Sequence, residues 1–119
     1  MARLRVLIAD DYPPIVDALE RILSIECDVV GRIADGATLL AETQRLQPDV
    51  LLLDLNLPNV NSLSACQEIT RTASTRVIVL TGGLDPGIRS EVMEAGASAF
   101  LDKGAVQDLL AALGQLHSH

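Results

Sequence analysis

Val50-Leu51-Leu52-Leu53-Asp54, running on into Leu55-Asn56-Leu57-Pro58, decides the fold of this chain. Four aliphatic residues with no polar interruption leave neither side of the segment suited to water. A run this short, closed by a polar residue and a proline, reads as a strand buried on both faces. Three further runs have the same form. Leu4-Arg5-Val6-Leu7-Ile8-Ala9 stops at Asp10-Asp11, Val77-Ile78-Val79-Leu80 stops at Thr81, and Ala99-Phe100-Leu101-Asp102 stops at Lys103. Stretches of helical length separate these runs. Connections of that length force parallel pairing and place helices on both faces of the sheet.

The order reads strand then helix, five times. After strand 1 (4–9), Pro13-Pro14 opens a helix with Ile15, Ala18, Leu19, Ile22 and Leu23 on its inner face. Asp17 and Arg21 are spaced for an i,i+4 ion pair on its outer side. Residues 28–33 form a weaker, alternating second strand, and Asp35-Gly36 starts a helix that stops at Gln47-Pro48. Strand 3 (50–54) leads through the long loop 55–61 to a helix over 62–71. Strand 4 (76–81) passes Gly82-Gly83 to Asp85-Pro86, a cap followed by proline at the first helical position. That helix is expected to end at Gly96 in a left-handed cap. Strand 5 (98–102) precedes a last helix with Val106, Leu109, Leu110, Leu113 and Leu116 inward. The expectation is an α/β domain, doubly wound on a five-stranded parallel sheet, spanning residues 1–119 as one unit.

Composition narrows the function classes. With 119 residues the chain has the size of one domain with a real core, and Tyr12 and Phe100 are its only aromatic residues. Leu, Ile, Val and Ala must therefore fill the interior. A net charge of −7 argues against a grip on nucleic acid phosphates by this domain. No apolar stretch approaches the ~20 residues needed to span a membrane. Met1-Ala2-Arg3-Leu4 runs straight into strand 1 and leaves no room for a secretory leader. Cys27 and Cys66 lack metal-ligand spacing, and two free thiols in a reducing cytoplasm are expected. His117 and His119 fall in the tail and are assigned no ligand role.

Ligands of such sheets bind at the carboxyl ends of the strands. Asp10, Asp11, Asp54, Thr81 and Lys103 all stand there, so three carboxylates, a hydroxyl and an ammonium converge on one edge. Three clustered acids repel one another unless a hard divalent cation sits among them. The combination points to a magnesium site able to receive a phosphoryl group.

These residues give the chain a resemblance, over nearly its full length, to the receiver domain of two-component response regulators. The resemblance rests on Asp10-Asp11, on Asp54 within Leu51-Leu52-Leu53-Asp54-Leu55-Asn56-Leu57-Pro58, on Thr81-Gly82 and on Phe100-Leu101-Asp102-Lys103. It implies a flavodoxin-like sheet of order 2-1-3-4-5. It implies phosphorylation of Asp54 by a sensor histidine kinase, controlling an output such as transcription, in a phosphoacceptor that is not a turnover enzyme. Mg2+ (or Mn2+) is then held by Asp11 directly, by Asp10 partly through water, by Asp54 and by the backbone carbonyl of Asn56. Lys103 and Thr81 contact phosphoryl oxygens, and Lys103 is the sole lysine beside eight arginines. A compact ammonium can follow a shifting phosphoryl charge where a planar guanidinium seeks a bidentate partner. Phe100 occupies the place of an aromatic that moves inward when Thr81 closes on the phosphoryl group, unless it is a plain core residue. Self-association on phosphorylation is a further implication.

The chain also departs from the family pattern. Pro58-Asn59-Val60-Asn61-Ser62 lacks the glycines that many members carry at the second and last of these places. Gly83 offers no side chain to shield the acyl phosphate from water, and Gly104 replaces a frequent proline after Lys103. Gly104 and the run Gly96-Ala97-Ser98-Ala99-Phe100-Leu101 are most similar to the NarL/FixJ-like group, whose members usually precede a LuxR-type helix-turn-helix domain. Tyr12 is expected to shield the site or pack on the first helix. Three alternatives fit the residues less well. An aspartyl-phosphate phosphatase needs a second, spaced acid that Asp10-Asp11-Tyr12-Pro13 lacks. A flavin-binding flavodoxin would not set two carboxylates against a phosphate. A degenerate receiver that only binds partners is disfavoured by the intact site residues.

Overall fold

The computed structural model describes residues 3–83 and 86–118, with the side chains of 86, 106, 107 and 116–118 left aside. Five strands, β1 (Arg5–Ala9), β2 (Asp28–Ile33), β3 (Val50–Asp54), β4 (Arg76–Thr81) and β5 (Ala99–Asp102), form one parallel sheet of order β2-β1-β3-β4-β5. The helices are α1 (Pro13–Leu23), α2 (Leu39–Leu46), α3 (Ser62–Thr72), α4 (Pro86–Glu94) and α5 (Val106–Ser118), and a short 3-10 turn (Gly36–Thr38) leads into α2.

Alternation along the strands sorts the core into two layers. Val6, Ile8, Val50, Leu52, Ile78 and Leu80 pack on one face beneath α1 and α5, together with Val16, Leu19, Leu23, Leu109 and Leu113. Leu7, Ala9, Leu51, Leu53, Val77 and Val79 pack on the other beneath α2, α3 and α4, with Leu39, Ala65, Cys66, Ile69, Val92 and Phe100. Every residue of β3 is buried, as its position at the centre of the sheet requires. Cys27 and Cys66 are free thiols in opposite layers. Gly96 has φ +102, and a Cβ there would come within 2.5 Å of Thr70 Oγ1, so the left-handed turn after α4 demands glycine. Among the described residues, no helix is long and apolar enough to cross a membrane.

Several sequence expectations need correction. On α1 the buried stripe is Val16, Leu19 and Leu23, while Ile15, Ala18 and Ile22 are only half-buried flanks. Leu110 is exposed, whereas Leu109 and Leu113 are the buried side chains among those described on α5. The expected inward side chains of Val106 and Leu116, the Asp85 cap, Met1-Ala2, and the tail residues His117 (side chain) and His119 lie outside the described residues. Asp17 pairs across to Arg32 of β2 at 2.8 Å, and Glu20 joins the same guanidinium at 3.3 Å. A tertiary partner thus takes the acid that helical spacing would have given to Arg21. Tyr12 is largely exposed and contributes through its backbone.

Candidate functional site

The strands β1, β3, β4 and β5 each bring the polar residue at or just past their end to the same edge because the register aligns those termini. Ala9 sits opposite Leu53, Asp54 opposite Leu80, and Thr81 opposite Asp102. Asp10 and Asp54 are almost wholly buried, at 2% and 3% exposure, whereas Asp11 faces solvent. One carboxylate oxygen from each of the three acids falls within 4.8 Å of the others.

Lys103 closes the site from β5. Its Nζ lies 2.7 Å from Asp10 Oδ2 and 3.3 Å from Asp54 Oδ2. Burial alone would lower the pKa of this ammonium. Its hydrogen bond to Asp10 and the fields of Asp54 and Asp10 outweigh that effect and hold it above the ordinary lysine value. The remaining carboxylate oxygens are oriented by backbone. Tyr12 N–H donates to Asp10 Oδ1 at 2.9 Å, and Asn56 N–H donates to Asp54 Oδ1 at 3.0 Å. Asp10 Oδ2 is fully buried, and the Lys103 ammonium is its partner. Three hard oxygen donors, two of them on buried carboxylates, match the ligand preference of Mg2+ and Mn2+.

The loop after Asp54 is built around that residue. Leu57 N–H and the Ser62 hydroxyl both donate to the Asp54 carbonyl, at 3.2 and 2.9 Å. Ser62 was not singled out by sequence; its only signal was a serine where many relatives have glycine. Asn59 has φ +63, so it adopts the left-handed backbone at the other place where glycine is usual.

Thr81 is buried at the end of β4, and its hydroxyl donates to Gly83 O at 2.9 Å. Its carbonyl accepts from Lys103 N–H at 2.8 Å, which links the ends of β4 and β5. Phe100 is 2% exposed within the α2–α3–α4 layer, opposite Val79. The side chain anticipated to move inward is already inside in this state.

The sequence profile of the response regulator receiver domain matches residues 6–114. The response regulator UvrY of Escherichia coli is 31% identical over 119 residues, covering 97% of this chain and 55% of the relative. The chain thus spans about half the length of that curated relative. A receiver domain of a NarL response regulator from Mycobacterium tuberculosis superposes with a TM-score of 0.90 at 27% identity, covering 100% of both chains. A Burkholderia pseudomallei response regulator, solved with a phosphorylated aspartic acid, a calcium ion and citrate, superposes with a TM-score of 0.83 at 26% identity, over 92% of this chain and 66% of its own. The UvrY and NarL relatives are regulators of the NarL/FixJ-like group, and by sequence and by fold the chain belongs to the response regulator receiver domain family.

Proposed function

We propose that this chain is one phosphoacceptor domain that takes a phosphoryl group from the phosphohistidine of a sensor histidine kinase onto Asp54. The observation that carries the reading is the buried triad of charges, Lys103 Nζ between Asp10 and Asp54, beside the exposed Asp11 at the strand ends. A carboxylate oxygen of Asp54 forms the new P–O bond while the P–N bond of the donor breaks. The leaving imidazole picks up a proton from water, and an acyl phosphate remains. Asp10, Asp11, Asp54 and the Asn56 carbonyl would hold Mg2+ (or Mn2+). When bound, the cation supplies positive charge that offsets the acids and the entering phosphoryl oxygens.

Lys103 releases its hold on the carboxylates to contact a phosphoryl oxygen. Thr81 gives up Gly83 O to donate to another. Thr81 and Phe100 then form the switch, remodelling the surface over α4, β5 and α5 by these differential contacts. Self-association and control of an output such as transcription follow in this reading, supported by the NarL/FixJ-like character of the relatives. The domain acts as a cytoplasmic switch without turnover of a separate substrate, and its net charge of −7 disfavours direct contact with nucleic acid. Intact-mass analysis after incubation with a small phosphodonor and Mg2+ tests the reading. One acid-labile phosphoryl group is expected, absent in Asp54→Asn and in excess EDTA; labelling that survives either change rejects it.

A further inference from the structure

The loop following Asp54 is fastened at its far end by residues that the proposed chemistry does not use. Asn59 Nδ2 donates to Asp35 Oδ2 at 2.6 Å. The other oxygen of that carboxylate accepts from Ala37 N–H at 2.7 Å, so Asp35 bridges the turn before α2 and the loop before α3. The Ala37 bond first, and then the Asn59 bond, hold the Asp35 carboxyl below the ordinary aspartate range. Two further contacts run alongside. Gly36 N–H donates to Pro58 O at 2.8 Å. A Cβ at Gly36 would lie 2.2 Å from Val60 Cγ1 and 3.0 Å from Pro58 O, so only glycine admits this approach.

Glycine would meet the left-handed backbone at position 59 with less strain. Asparagine at that place adds a directional bond to a charged acceptor across the two loops. At the near end, Asn56 N–H and Leu57 N–H are bound to Asp54 itself. The segment from 55 to 60 is therefore tied at both ends, with Asn56 at the near tie and Asn59 at the far one.

We infer that Asp35 and Asn59 form a clasp that positions the backbone of Asn56 for the divalent cation, making both of them positioning residues for metal binding. The inference rests on the metal reading above. Outer contacts that fix a ligand's orientation commonly tune metal affinity without touching the ion.

The test is calorimetric titration of the chain with Mg2+ alone, so that no phosphorylation is needed. Asn59→Gly keeps the left-handed backbone and removes only the clasp. It should weaken Mg2+ binding about threefold to tenfold, the worth of one solvent-exposed hydrogen bond, and speed amide exchange over 55–60. Asp35→Ala should weaken binding to a similar degree. The exchanged pair Asp35→Asn with Asn59→Asp reverses donor and acceptor and should restore affinity to near the wild-type value, a rescue that general destabilisation does not predict. Wild-type affinity in both single variants, or failure of the exchanged pair to recover it, overturns the clasp while leaving the metal site standing. Absence of Mg2+ binding by the wild type overturns the metal reading and the clasp together.

Discussion

Lys103→Met is the sharpest stability test of the site, because it removes the cation and keeps much of the side-chain volume. In the wild type the ammonium is paired with two carboxylates, Asp10 and Asp54, whose side chains are 0% and 4% exposed. Removing one partner of a buried pair costs about 3–5 kcal/mol; with the Lys103 side chain still 18% exposed, solvent screening reduces the expected loss to about 2–3 kcal/mol. Unfolding entropy scales to ~0.25 kcal/mol/K for 119 residues, so the thermal midpoint at pH 7.5 in EDTA should fall by about 8–12 °C. Saturating Mg2+ should narrow the gap, since the cation offsets the repulsion that Lys103 had offset. In the wild type the ammonium has a raised folded pKa. Its contribution is therefore fully present below the unfolded value of about 10.5 and is lost as the pH rises through the folded value. Differential scanning calorimetry at pH 7.5 with and without Mg2+ reads the first effect, and scans at rising pH above about 10.5 read the second. An unchanged midpoint at pH 7.5, or an equal loss with and without Mg2+, refutes the reasoning.

Further outcomes follow from single residues. Gly96→Ala forces a Cβ toward Thr70 at positive φ and should cost about 2 kcal/mol by denaturant unfolding, whereas Gly114→Ala on α5 should cost nothing. Burial pushes the Cys66 thiol up to about 11, so its alkylation at pH 8 should be slow and should accelerate only under unfolding conditions. Stability contributed by that protonated thiol should decline as the pH rises above about 9. Thr81→Ala should accept phosphate yet show little change in amide exchange over 86–116 on phosphorylation. Equal responses in Thr81→Ala and wild type would return Phe100 to a plain core role.

The strands and the site edge were legible because they obey local rules. Uninterrupted aliphatic runs can only be buried on both faces, and the polar residue ending each run marks the carboxyl edge. What escaped reading depended on distance in the chain. Asp17 has an acceptable helical partner in Arg21, and only folding reveals that Arg32 of β2 competes for it. On α1 and α5, periodicity gave a broad apolar arc, but the sheet beneath admits a narrower stripe, which promotes Val16 and expels Leu110. The Asp35–Asn59 bond joins residues 24 positions apart, and Ser62 binds a backbone carbonyl, so neither leaves a spacing signal. The missing glycines at positions 59 and 62 were the one visible trace, and the structure gives each replacement a hydrogen bond.

The central claim is that Asp54, among its neighbouring carboxylates, accepts the phosphoryl group. Borohydride reduction of an aspartyl phosphate yields homoserine, so peptide mass spectrometry after phosphodonor treatment reads the acceptor directly. The account predicts homoserine at position 54 when Mg2+ is present and unmodified peptide when EDTA replaces it. Reduction product at Asp10 or Asp11, or phosphate retained on another residue while position 54 stays intact, would contradict it.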